Sequence, residues 1–116
     1  TYNVKPTMKG ADCCLSGIEN QCQAKYRKGE SPADIAKFCM CSVLAALSEM
    51  VSVLRKEYGD LPVLFSGGVS SNKLLKKELS ENYGAIFAEP AFSADNAAGI
   101  AVLTALMQKG SSFYEL

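Results

Sequence analysis

The residues best placed to do chemistry are small and polar, and they follow the short apolar run at residues 61–65. Ser66, Gly67 and Gly68 come directly after this run, and a helical pattern follows them. Glycine permits a sharp turn and lets a ligand approach the main chain, while a helix start offers N–H groups and a positive dipole end. This order is typical of a site for an anion or a nucleotide, although a glycine pair can also be only a tight turn.

The same order recurs further along the chain. Residues 85–88 predict a second strand, and Asp95 and Asn96 stand at the start of the next helix. Parallel sheets bind ligands beyond the carboxyl ends of their strands, so we expect both junctions to line one crevice. The Asn72 amide could hold a base or a ribose hydroxyl, or could bond the local backbone. Asp95 could bind a divalent cation near a phosphate, or could simply favour its helix dipole.

Several kinds of site are excluded or disfavoured by composition. The chain has no histidine, so it cannot by itself supply a Ser-His-Asp triad, a Cys-His dyad or a His-ligated zinc site. Serines beside the glycine pair lack a base and are not expected to be nucleophiles. The cysteine spacings match no metal motif, and we expect reduced, mostly buried thiols in a cytoplasmic protein, with zinc or a disulfide as alternatives. The five cysteines are Cys13, Cys14, Cys22, Cys39 and Cys41.

The length of the chain limits the number of domains, and its net charge bears on whether nucleic acid is an expected partner. A chain of 116 residues forms one domain at most, so residues 1–116 are taken as a single domain. Twelve basic residues balance twelve acidic ones, so no net field attracts nucleic acid and DNA is not an expected partner. No apolar run approaches the roughly 20 residues that span a bilayer, so no membrane segment is expected. The chain does not begin with Met, and we expect it to be a piece of a longer protein.

The predicted elements are helices alternating with short strands. Ser31 can cap a helix, Pro32 suits its first position, and no Gly or Pro follows until Gly59, which predicts one long helix, Pro32–Tyr58. At about 40 Å it exceeds a small domain, so part of it should pack on something outside this chain or on a second copy in a homodimer. Its apolar stripe comprises Leu44, Leu47, Val51, Leu54 and Tyr58.

Around this helix the pattern predicts an α/β fold. Shorter helices are expected at residues 16–28, 71–83 and 94–109, and residues 1–16 should be loop or short edge strand. Strands that alternate with helices pair in parallel, and two short continuous apolar strands should be buried on both faces. Two strands make a poor sheet, so further strands must come from residues 1–16, a partner or a missing part of the protein.

At this point the motifs resemble a known family. The segments FSGGVSSNKLL and FAEPAFSADNAAGIAVL are similar to the C-terminal part of the Kae1/TsaD/YgjD family of tRNA threonylcarbamoyladenosine transferases, long labelled O-sialoglycoprotein endopeptidases. Leu15, Ser16, Gly17 and Ile18 resemble the family's Phe-Ser-Gly-Leu segment, although Glu19 stands where the family usually has Lys.

The resemblance implies a partial lobe of the actin-like and Hsp70 ATPase (ribonuclease H-like) superfamily. Gly67, Gly68 and Asn72 would contact an adenine nucleotide or the threonylcarbamoyl-adenylate, and Asp95 would be a carboxylate ligand of a divalent metal. The histidines that complete this metal site would lie in a missing N-terminal lobe, and tRNA would be a partner of the whole parent protein. The chain alone would therefore not be catalytic.

Two other functions remain open. The chain could be a non-catalytic dimerisation or scaffold module, like inactive paralogues of the family, and would then bind no nucleotide. It could also come from a small-molecule kinase of the same superfamily, although such an enzyme would need a catalytic acid from the other lobe. The peptidase label gains little support because the chain lacks histidine and an activated nucleophile.

Overall fold

A computed structural model describes residues 4–89, 91 and 97–108 of the chain. Within these residues the fold is mixed α/β, as predicted, with the long helix crossing the molecule. The strands are β1 (Met8–Lys9), β2 (Asp12–Cys13), β3 (Leu64–Phe65) and β4 (Ile86–Phe87), and the helices are α1 (Ser16–Arg27), α2 (Pro32–Tyr58), α3 (Lys73–Tyr83) and α4 (Ala97–Gln108).

The long helix α2 has the predicted bounds, and its ends show why. The backbone N–H of Asp34 donates to Ser31 Oγ at 3.1 Å, and Pro32 occupies the first turn. Gly59 ends the helix with φ at 81°, a backbone conformation that residues with a Cβ rarely adopt. The predicted apolar stripe is only partly internal, because Val51 is buried while Tyr58 is 61% exposed. The buried positions of α2 are Phe38, Ser42, Ala46 and Val51.

Helix α2 is also long and apolar enough, by length and composition, to cross a membrane. The expectation that no run approaches that length is therefore wrong for this helix. The core helix of a soluble protein has the same length and composition, and α2 packs against α1 and α3, although only 22% of its most apolar stretch is buried. This one helix is weak evidence for a membrane protein.

The predicted parallel pairing of the two apolar strands is confirmed. Leu64 pairs with Ile86 and Phe65 with Phe87, whose rings stack with centroids 5.2 Å apart. The prediction that both faces are buried is wrong, because Leu64 is 67% and Ile86 57% exposed. The strands are shorter than predicted, and among the described residues only the phenylalanine face packs on the core.

The chain's first part forms a separate antiparallel hairpin. Met8 pairs with Cys13 and Lys9 with Asp12, and Gly10 makes the turn with φ at 62°. In the described residues this hairpin does not join β3 and β4, so residues 4–16 do not supply the further strands considered above.

The core lies where α3 and the parallel strands meet α2. Leu75 and Leu79 of α3 are fully buried beside Ala85. The end of α2 is also tied to the end of α3, because Arg55 donates to the Tyr83 carbonyl oxygen at 2.7 Å. The residues packed around the buried cluster are Met40, Val43, Leu44, Leu47, Phe65, Tyr83 and Phe87.

The other helices match their predictions with small shifts at the ends. Helix α1 spans Ser16–Arg27, and α4 spans Ala97–Gln108 inside the predicted 94–109. The helix predicted at 71–83 begins instead at Lys73, because a 3₁₀ turn over Gly68–Ser71 precedes it.

Candidate nucleotide-binding turn

The glycine turn lies directly beyond the carboxyl end of β3. Gly67 has φ at 106°, which only glycine adopts readily, so this residue makes the sharp change of direction after the strand. The Gly67 carbonyl then accepts hydrogen bonds from the Ser70 backbone N–H at 3.1 Å and from Ser70 Oγ at 2.6 Å. The turn is therefore a defined structure that leads into α3.

The main chain at this turn is open to a ligand. A Cβ built on Gly67 or on Gly68 meets no other atom within 4 Å, and Gly68 is exposed. An anion or a ribose phosphate can thus approach the backbone without displacing a side chain. The turn lies on an open surface, away from the groove of about 640 Å³ between α1 and α2.

Asn72 is the N-cap of α3, which is the local role that the sequence left as an alternative. The backbone N–H groups of Leu74 and Leu75 donate to its Oδ1 at 2.9 and 3.3 Å. Two of the helix N–H groups expected to face a ligand are therefore already occupied. The Asn72 Nδ2 lies 4.0 Å from the sulfur of Met40. Contact of Asn72 with a nucleotide remains a prediction.

The second predicted junction leaves the sheet at the same edge as the first. The backbone N–H of Ala88 donates to the Phe65 carbonyl at 2.9 Å, so the ends of β3 and β4 lie side by side. Asp95, the predicted metal ligand, and Asn96 lie outside the described residues. Within residues 4–89, 91 and 97–108, no cluster of three or more Cys, Asp or Glu side chains could hold a metal ion.

The cysteines are free thiols, as expected, but they are half-buried or exposed rather than mostly buried. Cys22, which stands alone in the sequence, lies beside Cys39 of α2. Partial burial raises the pKa of the Cys22 thiol, the neighbouring Cys39 thiol raises it further through charge and a hydrogen bond, and Lys25 opposes the shift. Sequence spacing could not reveal this pair, because its members belong to different helices.

Comparison with known proteins gives the family. Residues 2–102 match the family described as "Carbamoyltransferase, Kae1-like Domain, second subdomain". The chain belongs to this family. The resemblance inferred from the glycine pair and the Asp-Asn segment is thus confirmed at the level of the Kae1-like domain.

Two relatives of this Kae1-like chain carry names from tRNA modification. This chain is 32% identical, over 94% of its own length, to a "Probable bifunctional tRNA threonylcarbamoyladenosine biosynthesis protein" of Natronomonas pharaonis. It is 28% identical over 82% of its length to a "tRNA N6-adenosine threonylcarbamoyltransferase" of Methanopyrus kandleri. The chain spans 21% and 29% of these two relatives. No solved structure matches it.

Proposed function

We propose that this Kae1-like chain is the C-terminal, nucleotide-binding lobe of a parent protein that transfers a threonylcarbamoyl group to adenosine of tRNA. The lobe is a single domain of the actin-like type, works in the cytoplasm and forms half of a cleft. The other half comes from an N-terminal lobe that is not part of this chain, and tRNA binds to the parent. The relatives named for threonylcarbamoyladenosine synthesis support this reaction.

The observation that carries the proposal is the open glycine turn at the end of β3. The left-handed φ of Gly67 and the empty space above Gly68 leave the backbone of the turn itself open to a phosphate, next to the start of α3. Ligands of parallel sheets bind at this edge, and β3 pairs in parallel with β4. Such a phosphate would belong to an adenine nucleotide or to an acyl-adenylate, and the activated carbonyl of the acyl-adenylate is the chemistry that carbamoyl transfer requires.

The roles of this chain are to bind and orient. The backbone at Gly67 and Gly68 would hold the phosphate, and Asn72, by capping α3, would fix the helix end that faces it. Asp95 would supply one carboxylate to a divalent metal whose other ligands come from the missing lobe. Such a metal polarises phosphate or carbonyl oxygens.

A second candidate is carbamoyl transfer to an acceptor other than tRNA. The family description names carbamoyl transfer and no acceptor. The chain's twelve basic and twelve acidic residues provide no net positive charge for binding RNA. The glycine turn would have the same role in both reactions, so the acceptor has to be determined on the parent protein.

The test of the binding site is a calorimetric titration of this chain with ATP and ADP, with and without Mg²⁺. Gly68→Ala is the informative variant, because Gly68 has no left-handed φ and its added methyl meets only open space. The fold should survive while the methyl stands where the phosphate approaches, so we expect roughly tenfold or greater loss of affinity. Gly17→Ala is the matched control, since Gly17 also has open space around it but lies in α1.

The outcomes separate the hypotheses. Loss of affinity in Gly68→Ala alone supports the nucleotide site, whereas equal affinity in all three proteins places the nucleotide elsewhere. If the folded chain alone binds neither nucleotide, the titration is repeated with the parent protein, and a parent that also binds neither contradicts a nucleotide-binding lobe and favours the scaffold alternative. The acceptor is tested separately, by mass spectrometry of tRNA nucleosides after incubation with the parent protein. A parent that binds nucleotide but forms no threonylcarbamoyladenosine favours the second candidate.

A further inference from the structure

Two thiols from different helices meet between α1 and α2. Cys22 and Cys39 both line the open groove of about 640 Å³, and both also line a second cavity of about 450 Å³ beside Val43. Both are free, half-buried thiols, and their shared place in the two linings puts them next to each other between the helices. A small reagent can therefore reach the pair from the groove.

We propose that Cys22 and Cys39 form a reversible disulfide that links α1 to α2, with small disulfides such as oxidised glutathione as the oxidant. This modification site is independent of the proposed function, because it lies away from the glycine turn. Disulfides in reducing compartments are usually transient and redox-sensing, which is the behaviour inferred for this pair.

The chemistry is thiol–disulfide exchange in two steps. One of the two thiols loses its proton, and the thiolate attacks one sulfur of oxidised glutathione, so that a mixed disulfide forms and a glutathione thiolate leaves. The second cysteine, as its thiolate, then attacks the protein sulfur of the mixed disulfide and releases the second glutathione. The two cysteines lose two electrons, and one glutathione disulfide is reduced to two thiols.

The geometry selects Cys39 over its neighbour Cys41. At 3.6 residues per turn, Cys41 lies about 200° further around α2, so it faces away from a thiol that contacts Cys39. Cys14 lines a different cavity, together with Gly17 and Phe38. Of Cys14, Cys39 and Cys41, Cys39 is therefore the favoured partner of Cys22.

The crosslink should stabilise the helix pair. It closes the loop that contains the turn at Gly29, where α1 ends and the chain reverses toward α2. A loop of this length loses conformational freedom in the unfolded state, and we expect the Tm to rise by roughly 10 °C. Affinity for ADP, if the chain binds it at Gly68, should be unchanged.

The experiment treats the 116-residue chain with oxidised glutathione and maps the product by mass spectrometry without reduction. Cleavage after Glu19 separates Cys22 from the earlier cysteines, and cyanogen bromide cleavage after Met40 separates Cys39 from Cys41. The expected product is a Cys22–Cys39 crosslink with the loss of two hydrogen atoms. Dithiothreitol should reverse both the crosslink and the rise in Tm.

The matched control is Cys39→Ser, which keeps Cys22 and Cys41 as possible partners. It should give a mixed disulfide between Cys22 and glutathione and no crosslink that involves Cys22. The proposal is overturned if Cys22 links to Cys41 as readily as to Cys39. It is also overturned if N-ethylmaleimide still labels both Cys22 and Cys39 of the folded wild-type chain after oxidation. Because the wild-type chain gives the mapping result, the proposal does not depend on the folding of a variant.

Discussion

Replacement of Asn72 separates its structural role from its predicted contact with a nucleotide. In the structure, Asn72 Oδ1 accepts two backbone hydrogen bonds at the start of α3, from Leu74 and Leu75. Asn72→Ala removes this acceptor, and loss of an N-cap lowers the free energy of unfolding by about 1 kcal/mol, within a range of about 0.5–2. Because two donors lose their partner, we expect a value in the upper half of that range.

The matched variant is Asn72→Asp, which keeps a capping oxygen and adds a negative charge at the positive end of α3. It loses only the weak contact from Nδ2 to Met40. We therefore expect its free energy of unfolding to stay within about 0.5 kcal/mol of the wild type. The assay is urea unfolding of the three proteins followed by circular dichroism, with equal m-values as the check on a two-state comparison.

Nucleotide titration of the same three proteins completes the test. If Asn72 contacts the nucleotide, Asn72→Asp should bind ATP less well while keeping its stability, since a carboxylate repels phosphate and cannot donate as the amide does. If the nucleotide binds away from this helix end, the aspartate variant should retain both properties. Equal destabilisation by alanine and aspartate would refute the capping argument itself.

Two further predictions concern the core and the thiol pair. Leu79→Ala should lower the free energy of unfolding by about 2–5 kcal/mol, because Leu79 is fully buried. Leu64→Ala should change it by less than about 0.5 kcal/mol, because Leu64 is exposed. Urea unfolding measures both values, and similar losses in the two variants would contradict the assigned core. The raised pKa of Cys22 means that its thiolate forms at higher pH than that of an isolated thiol, so iodoacetamide should label it slowly at neutral pH and faster as pH rises. Cys39→Ser should lower this pKa, since Cys39 raises it, and an unchanged pH profile would show that burial alone is responsible.

The contribution of one residue to stability also depends on pH with a defined sign. The pKa of Cys22 in the folded chain lies above the ordinary value that applies to the unfolded chain. At pH values below that ordinary pKa, the protonated thiol therefore makes its full contribution to the free energy of unfolding. This contribution is lost as pH rises through the raised folded-state pKa. Unfolding midpoints of the wild type and Cys22→Ser, measured from neutral to alkaline pH, should therefore converge at the alkaline end, and parallel profiles would contradict this linkage.

The elements whose signals are local could be predicted from the sequence alone. Ser31 and Pro32 begin α2 and Gly59 ends it, because caps and breakers act within a few residues of the helix end. The parallel pairing of the two short strands followed from the helix between them, and the positive φ of Gly67 fits a turn that needs glycine. The family resemblance rested on the same local motifs.

Contacts between different elements became visible only in the folded chain. The tertiary structure placed Cys22 beside Cys39, assigned Asn72 to the cap of α3, and left Leu64 and Ile86 exposed on one face of the sheet. The spacing of apolar residues indicates which side chains share a face of one element. Contacts between elements depend instead on how the helices pack and on which strands are present. The apolar run of β3 was compatible with burial on both faces, but burial needs a covering layer, and the sequence of a strand does not contain one.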